Sequence, residues 1–206
     1  MKLQLALDRL TWDECFAIAN EVRDNIDIIE VGTGVIKEYG MAIVREMNVQ
    51  FPNHALLADM KICDAGRHEA NQAFQAGADV ATVMAFAPEA TIEETLRVAK
   101  EQNKTMMIDL LGVESSQKVH QLHSLGATFV GVHLGKDQQK QQAFSASQFD
   151  IVKDVDVQTA VAGGVTLESL QTIKKHKPDV IIVGSSITAA ANPAHIAKSM
   201  KALLHV

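Results

Sequence analysis

Asp59, Lys61 and Asp64 form the segment whose residue types and spacing are best suited to chemistry. In an extended strand, residues two apart lie on the same face, so Asp59 and Lys61 would enter one cavity. A lysine beside carboxylates keeps its positive charge and can stabilise a developing oxyanion. The segment therefore predicts a catalytic ammonium group. The alternative is a salt-bridged rim without a catalytic role.

Titratable side chains also end several other apolar segments, namely Asp8, Glu30, Asp109 and His133. A single carboxylate in such a position is commonly a helix N-cap, but several of them at equivalent positions indicate a shared site. Histidine side chains are suited to moving protons near neutral pH, so His133 is a candidate proton shuttle, and the alternative is a structural histidine. Cys63 has no evident base partner and is interpreted as buried filler.

Glycine-rich turns follow the last two apolar segments. Gly163 and Gly164 come after one of them, and Gly184, Ser185 and Ser186 come after the other, each directly before a helix-like stretch. Glycine lets the backbone approach a ligand closely, and the N–H groups of a helix start bind anions. These turns predict a phosphate-binding site. The alternative is two tight turns that bind nothing.

Eight apolar segments of strand length recur along the chain, separated by stretches with helical spacing. They are rich in Val, Ile and Leu with little alternation, which is typical of strands buried on both faces of a parallel sheet. Thr11 with Glu14 predicts a capping box, and Pro88 and Ser115 precede two further helices. The strand-like segments are 2–8, 26–32, 54–61, 78–84, 104–112, 127–135, 155–164 and 179–186.

The number of repeats decides the predicted architecture. Eight units in 206 residues leave about 26 residues per unit, at the lower end for a (β/α)8 barrel, whereas an open doubly wound sheet usually has fewer strands. We predict a single α/β domain over residues 1–206, a (β/α)8 TIM barrel whose chemistry lies at the carboxyl ends of the strands. The polar run 137–142 is predicted to open the sixth helix on a solvated face.

Composition excludes several classes of protein. The chain is 47% hydrophobic and 21% charged, which excludes a disordered protein, and two cysteines exclude a disulfide framework or a four-cysteine zinc site. A net charge of −6 and an aromatic content of 4% argue against nucleic-acid binding. No apolar run reaches about 18 residues, and no leader precedes the first strand. We therefore expect a soluble cytoplasmic protein without a membrane partner.

The Asp-x-Lys-x-x-Asp motif of Asp59, Lys61 and Asp64 resembles the signature of the orotidine 5′-monophosphate decarboxylase superfamily. The segments LQLALD, IIEVGT and LLADMKICDAG resemble its sugar-phosphate branch, and VHLGKD, AVAGGV and VGSSI extend the resemblance through all eight units. The resemblance implies Mg²⁺ on Glu30 and Asp59, a carboxylate pair that suits a hard cation which keeps several waters. It also implies a homodimer in which Asp64 reaches the partner's active site.

Two activities of this branch proceed through an enediolate. One removes the C1 proton of D-ribulose 5-phosphate and adds the carbanion to formaldehyde, giving D-arabino-hex-3-ulose 6-phosphate. The other decarboxylates 3-keto-L-gulonate 6-phosphate. Asp109 and Ser185 resemble the formaldehyde-adding aldehyde-lyases, whereas Lys136 departs from both patterns. The resemblance thus favours the aldehyde-lyase, with the decarboxylase as the alternative and a non-catalytic sugar-phosphate-binding protein as a further one.

The resemblance also implies a role for each site residue. His133 would remove the C1 proton, Lys61, oriented by Asp64, would stabilise the enediolate, and Asp109 would assist positioning or proton transfer. We predict that the substrate-binding residues are Asp8, Gly163, Gly164, Gly184 and Ser185, together with Lys136, whose position in the cavity rim does not follow from the resemblance.

Overall fold

Eight parallel strands form a closed barrel in the computed structural model, which describes residues 1–140 and 146–205. The strands follow chain order around the barrel, and β1 pairs with β8 to close it. The predicted (β/α)8 barrel is confirmed. The strands are β1 Lys2–Leu7, β2 Ile28–Val31, β3 Ala55–Ile62, β4 Val80–Met84, β5 Thr105–Asp109, β6 Phe129–His133, β7 Gln158–Ala162 and β8 Val180–Val183.

Within the described residues, α-helices follow seven of the eight strands along the chain. Thr11 and Glu14 form the predicted capping box, with Thr11 N donating to Glu14 Oε2 over 2.8 Å. Two further helices begin directly after Pro88 and Ser115, as predicted. None of the described helices is long and apolar enough to cross a membrane. The helices are α1 Trp12–Val22, α2 Thr33–Tyr39, α3 Met41–Gln50, α4 Gly66–Gln75, α5 Glu89–Glu101, α6 Ser116–Ser124, α7 Leu167–Ile173, α8 Ser185–Thr188 and α9 Pro193–Leu204.

Two hydrophobic clusters hold the barrel together. The larger cluster fills the layer between the strands and the helices, where both surfaces are apolar. The smaller cluster lies inside the barrel, because alternate residues of each strand point inward. This inner cluster closes the barrel beneath the carboxyl ends of the strands. Its members are Ala6, Ile28, Leu57, Met107, Phe129, Ala160, Val180 and Ile182.

The connection from β6 to β7 differs from the prediction. Its described residues form two 3₁₀ turns, Gln138–Lys140 and Ala146–Phe149, rather than an α-helix, and positions 141 and 142 of the polar run lie outside the described residues. The glutamine side chains fold back onto the loop. Gln138 Oε1 accepts from Gly135 N over 3.0 Å, and Gln139 Nε2 donates to Leu134 O over 2.8 Å. These hydrogen bonds to nearby backbone replace those of a helix, so the prediction of a sixth helix beginning here was wrong, although Asp137, Gln138 and Lys140 are exposed as predicted.

Three aspartates join neighbouring strands at the amino-terminal end of the barrel. Each comes directly before a strand, and its carboxylate accepts a hydrogen bond from a backbone N–H of the preceding strand. That donor's own carbonyl accepts from the aspartate N–H, so each pair is joined twice. The pairs are Asp27 with Leu3 at 2.7 Å, Asp79 with Leu56 at 3.0 Å and Asp179 with Thr159 at 2.8 Å from the donor nitrogen to the carboxylate.

We predict that Asp79→Ala lowers the free energy of unfolding by about 1–3 kcal/mol, the cost of a buried donor that loses its acceptor. The donor is the N–H of Leu56, a residue only 3% exposed. Urea denaturation measures the effect. Asp24, whose side chain is 91% exposed, provides the control, because Asp24→Ala should change stability by less than about 0.5 kcal/mol. Equal losses in the two variants would contradict the prediction.

Candidate active site

A cavity of about 440 Å³ lies at the carboxyl ends of the strands, and it collects nearly all of the predicted site residues. Parallel strands end at the same rim of a barrel, so residues far apart in sequence meet there. Asp64 is the exception, since it is exposed and does not line this cavity. The predicted residues that line it are Asp8, Glu30, Asp59, Lys61, Asp109, His133, Lys136, Gly163, Gly164, Gly184 and Ser185.

Asp109, at the end of β5, joins the two groups predicted to do the chemistry. Its Oδ2 accepts a hydrogen bond from Lys61 Nζ, and His133 Nδ1 lies 3.0 Å from the same oxygen. Lys61 Nζ also lies 3.3 Å from Asp59 Oδ2. A carboxylate can only accept, so His133 donates from Nδ1, which leaves Nε2 as the free basic nitrogen of the neutral ring.

Neighbouring charges determine the protonation states of Asp109 and Lys61. Burial alone would raise the pKa of Asp109, but the hydrogen bond and charge of His133, together with Lys61, lower it to about 2. Burial works to lower the pKa of Lys61, but the charges of Asp59 and Asp109 outweigh it and hold this pKa above its ordinary value. Asp109 is therefore an anion and Lys61 a cation at neutral pH, so Lys61 can stabilise negative charge but is not a base.

Two other carboxylates of the cavity, Glu30 and Asp8, have pKa values that are shifted in the opposite direction. Burial, followed by the charges of Asp59 and Asp8, raises the pKa of Glu30 well above its ordinary value. Burial and the charge of Asp59 likewise raise the pKa of Asp8. Gly32 makes room for Asp8, because a Cβ at that position would lie 2.1 Å from Asp8 Oδ1. The part of the cavity lined by Asp8, Glu30 and Asp59 thus brings together carboxyl groups that repel one another when ionised.

The donor set fits a hard divalent cation. Glu30 and Asp59 offer carboxylate oxygens, which Mg²⁺ prefers, and a cation would offset the repulsion that raises the pKa of Glu30. No group of three His, Cys, Asp or Glu side chains within the described ranges is close enough to form a metal site. An ion held by these two carboxylates would complete its coordination with water or substrate, as Mg²⁺ commonly does.

A register shift in the pairing of β3 with β4 determines the orientation of Lys61. The pairing of β3 with β4 shifts register between Ala58 and Ile62, and Lys61 has a left-handed φ of 49°. Thr82 of β4 stabilises this conformation, because its Oγ1 accepts from Lys61 N and donates to Asp59 Oδ1, each over 2.8 Å. Bulges of this kind re-aim side chains beside active sites. One threonine thus positions both Asp59 and the backbone of Lys61.

The loops after β7 and β8 are joined to each other. Ser186 Oγ donates to Val165 O over 2.6 Å, which links the two turns. Gly163 has a φ of 119°, and a Cβ there would lie 2.5 Å from Leu134 O, so this turn requires glycine. The first N–H groups of the following helices have no partner within the helix. These loops can therefore offer backbone donors to an anion in the cavity.

Several cavity residues were missed by the sequence analysis. Thr33 and Arg9 line the cavity, and Thr33 Oγ1 donates to Asp59 Oδ2 over 2.8 Å. Thr82 and Gln4 are fully buried polar residues inside apolar strands, a pattern that the sequence displays. Arg9 has no comparable signal. Cys63, interpreted as buried filler, is instead exposed and donates from Sγ to Lys61 O over 3.3 Å.

Known proteins resemble this chain over nearly its full length. Residues 1–200 match the Orotidine 5′-phosphate decarboxylase / HUMPS family. This chain belongs to that family. It is 37% identical over 207 residues to the 3-hexulose-6-phosphate synthase of Bacillus subtilis strain 168, with 99% of both chains covered. The relative's name is that of a carbon–carbon lyase, and the prediction of an enzyme of this class is confirmed.

Two solved structures of the family show the same fold. A 3-hexulose-6-phosphate synthase from Salmonella typhimurium matches with a TM-score of 0.97 at 37% identity, covering 100% of this chain and 99% of that one. A 3-keto-L-gulonate-6-phosphate decarboxylase from Vibrio cholerae matches with a TM-score of 0.89 at 28% identity, covering 99% and 97%. The resemblance to the family is therefore confirmed from end to end.

The conformation of Lys61 leads to a prediction about stability. Alanine and glycine at this position both remove the ammonium group, so comparing them isolates the backbone. We predict that Lys61→Gly is more stable than Lys61→Ala by about 1 kcal/mol, because glycine adopts a positive φ without strain. Chemical denaturation measures the difference.

Lys198 provides the control, since it is exposed within α9. There the order should be reversed, with the glycine variant less stable by about 1 kcal/mol, because glycine is a poor helix former. If alanine were the more stable residue at both positions, the left-handed conformation of Lys61 would not be a source of strain.

Proposed function

We propose that this protein catalyses the Mg²⁺-dependent addition of formaldehyde to D-ribulose 5-phosphate, giving D-arabino-hex-3-ulose 6-phosphate through an enediolate. The observation that carries the proposal is the contact of Asp109 with both Lys61 and His133. It brings a base with a free Nε2 and a permanent cation to the same reacting centre. The names of the relatives, which match over nearly their full length, support this aldol chemistry.

In this mechanism His133 Nε2 removes the C1 proton of ribulose 5-phosphate, and the electron pair delocalises into the C2 carbonyl to form the enediolate. Asp109 holds the ring through Nδ1 and stabilises the resulting imidazolium. Lys61 stabilises the charge on the enediolate oxygen. C1 then bonds to the carbonyl carbon of formaldehyde, and the new alkoxide takes the proton from His133.

The remaining residues hold the substrate and the metal. Asp8 accepts hydrogen bonds from the sugar hydroxyls, Lys136 contributes a cation at the rim, and the loops containing Gly163, Gly164, Gly184 and Ser185 bind the phosphate. Glu30 and Asp59 would hold Mg²⁺, which supplies Lewis-acid polarisation of the substrate oxygens. The cytoplasm suits such a protein, because Cys15 and Cys63 are both free thiols.

The decarboxylase remains a second candidate because of Lys136. It lines the cavity three residues after His133, where it can attract the carboxylate of 3-keto-L-gulonate 6-phosphate. The relative named as a decarboxylase of this compound, with 28% identity, also shares the fold. Assays of hexulose phosphate formation and of carbon dioxide release, run on one enzyme preparation, separate the two activities.

We predict that chelation followed by dialysis abolishes formaldehyde-dependent consumption of ribulose 5-phosphate and that Mg²⁺ restores it. Glu30→Gln should remove the response to Mg²⁺, since it deletes a ligand charge. Glu38→Gln, which alters an exposed residue of α2, is the control and should behave as the wild type. Full turnover in excess chelator would exclude the metal, and no turnover of either sugar phosphate with Mg²⁺ would favour a non-catalytic binding protein.

We further propose a C2 homodimer in which Asp64 completes the partner's site. Within one chain, Lys61 is held by Asp59 and Asp109 rather than by Asp64. Asp64 is exposed in the loop after β3. Phe86, in the loop after the neighbouring strand β4, is 64% exposed. An exposed aromatic residue in the loop next to that of Asp64 supports an interface along these loops.

Mixing two inactive variants tests this arrangement. Lys61→Ala should lower the rate at least about 100-fold, the scale of one lost oxyanion stabiliser, and Asp64→Ala should also be inactive. A mixed dimer places both defects in one site and leaves the other intact. Subunit exchange should therefore restore about a quarter of wild-type activity, since about half of the dimers are mixed. Verified exchange without any recovery would assign Asp64 to its own chain.

A further inference from the structure

Gln4 is a polar residue in the middle of the apolar strand β1. It is fully buried, and it lies two residues before Ala6, a member of the inner barrel cluster, so it occupies the same inward face. Its Nε2 donates to Glu30 Oε2 over 2.6 Å. This bond spans two adjacent strands, since Gln4 pairs with Ile28 in the register of β1 with β2. Gln4 therefore supports Glu30 from below the cavity.

Stability alone does not account for a glutamine at this position. Its Oε1 is one of the few buried side-chain atoms of the described residues that have no hydrogen-bond partner. A buried acceptor without a partner destabilises a fold, whereas an apolar residue of similar size would not. The surrounding barrel interior is apolar, as Ile28, Leu57 and Val180 show. What the amide does provide is a directed donor for Glu30.

We propose that Gln4 is a positioning residue that fixes Glu30 for binding a divalent cation, an inference that rests on the proposed function. With Oε2 bound to the Gln4 amide, the carboxylate has Oε1 left for a ligand in the cavity that Glu30 lines. Residues that orient metal ligands commonly change affinity by about 10–100-fold.

The test uses Mn²⁺ alone as the probe, because carboxylate and water ligands suit it as they suit Mg²⁺. Electron paramagnetic resonance titration gives its dissociation constant without any turnover. Gln4→Met keeps the length of the side chain and removes the donor, and Gln4→Leu is a second variant of this kind. In both, the dissociation constant should rise about 10–100-fold, while thermal unfolding stays at or above the wild-type temperature.

Ile28→Val is the matched control, since it alters the neighbouring inward position without touching the Glu30 bond. It should leave Mn²⁺ affinity within about twofold of the wild type, because the ligand and its donor are both kept. Wild-type affinity for Mn²⁺ in both Gln4 variants would overturn the proposal. Loss of cooperative unfolding in both variants would also overturn it, because Gln4 would then be required for the stability of the core.

Failure of the metal site itself gives a different result. If Mn²⁺ binds the wild type and Glu30→Gln equally, Glu30 is not a ligand, and both the metal site and the inference about Gln4 are wrong. If Glu30→Gln abolishes binding while Gln4→Met does not change it, the metal site stands and only the inference about Gln4 fails.

Discussion

The hydrogen bonds of the Asp109 carboxylate determine what the rest of the site can do. Asp109 is 3% exposed, so a negative charge there is costly unless nearby donors stabilise it. Lys61 and His133 supply those donors, and in return the carboxylate fixes the charge of the lysine and the orientation of the histidine. Because the groups come from β5, β3 and β6, the contact depends on a closed barrel that brings these strand ends together.

The two ends of the barrel use the same residue type for different purposes. At the amino ends of β2, β4 and β8, Asp27, Asp79 and Asp179 accept backbone N–H groups and complete the pairing between strands. At the carboxyl ends, aspartates face a cavity and one another. Repulsion between carboxylates is thus concentrated where chemistry occurs, and the opposite end contributes stability, which is the usual division in such barrels.

Most of the fold and the composition of the cavity were predictable because they depend on local patterns. Uninterrupted Val, Ile and Leu segments predict buried parallel strands, and the ends of such strands must meet in a barrel. The conformation of Lys61 was not predictable, since it depends on Thr82, a partner 21 residues away. The prediction of a helix between β6 and β7 was wrong for a similar reason. Gln138 and Gln139 form hydrogen bonds with nearby backbone groups instead of continuing a helix. The role of Asp64 concerns contacts between chains and stays a prediction.

Three carboxylates of one cavity have pKa values shifted in different directions, Asp109 downward and Glu30 and Asp8 upward. Burial works to raise the pKa of Asp109, but its contacts with His133 and Lys61 lower it to about 2, whereas burial and negative neighbours raise the pKa of Glu30 and Asp8. Sites in which the environment separates the pKa values of similar groups assign them different tasks. Asp109 is a permanent anion that can stabilise an imidazolium. Glu30 and Asp8 lie where additional positive charge or donated hydrogen bonds are favourable, which is what a divalent cation and the hydroxyls of a sugar phosphate would provide.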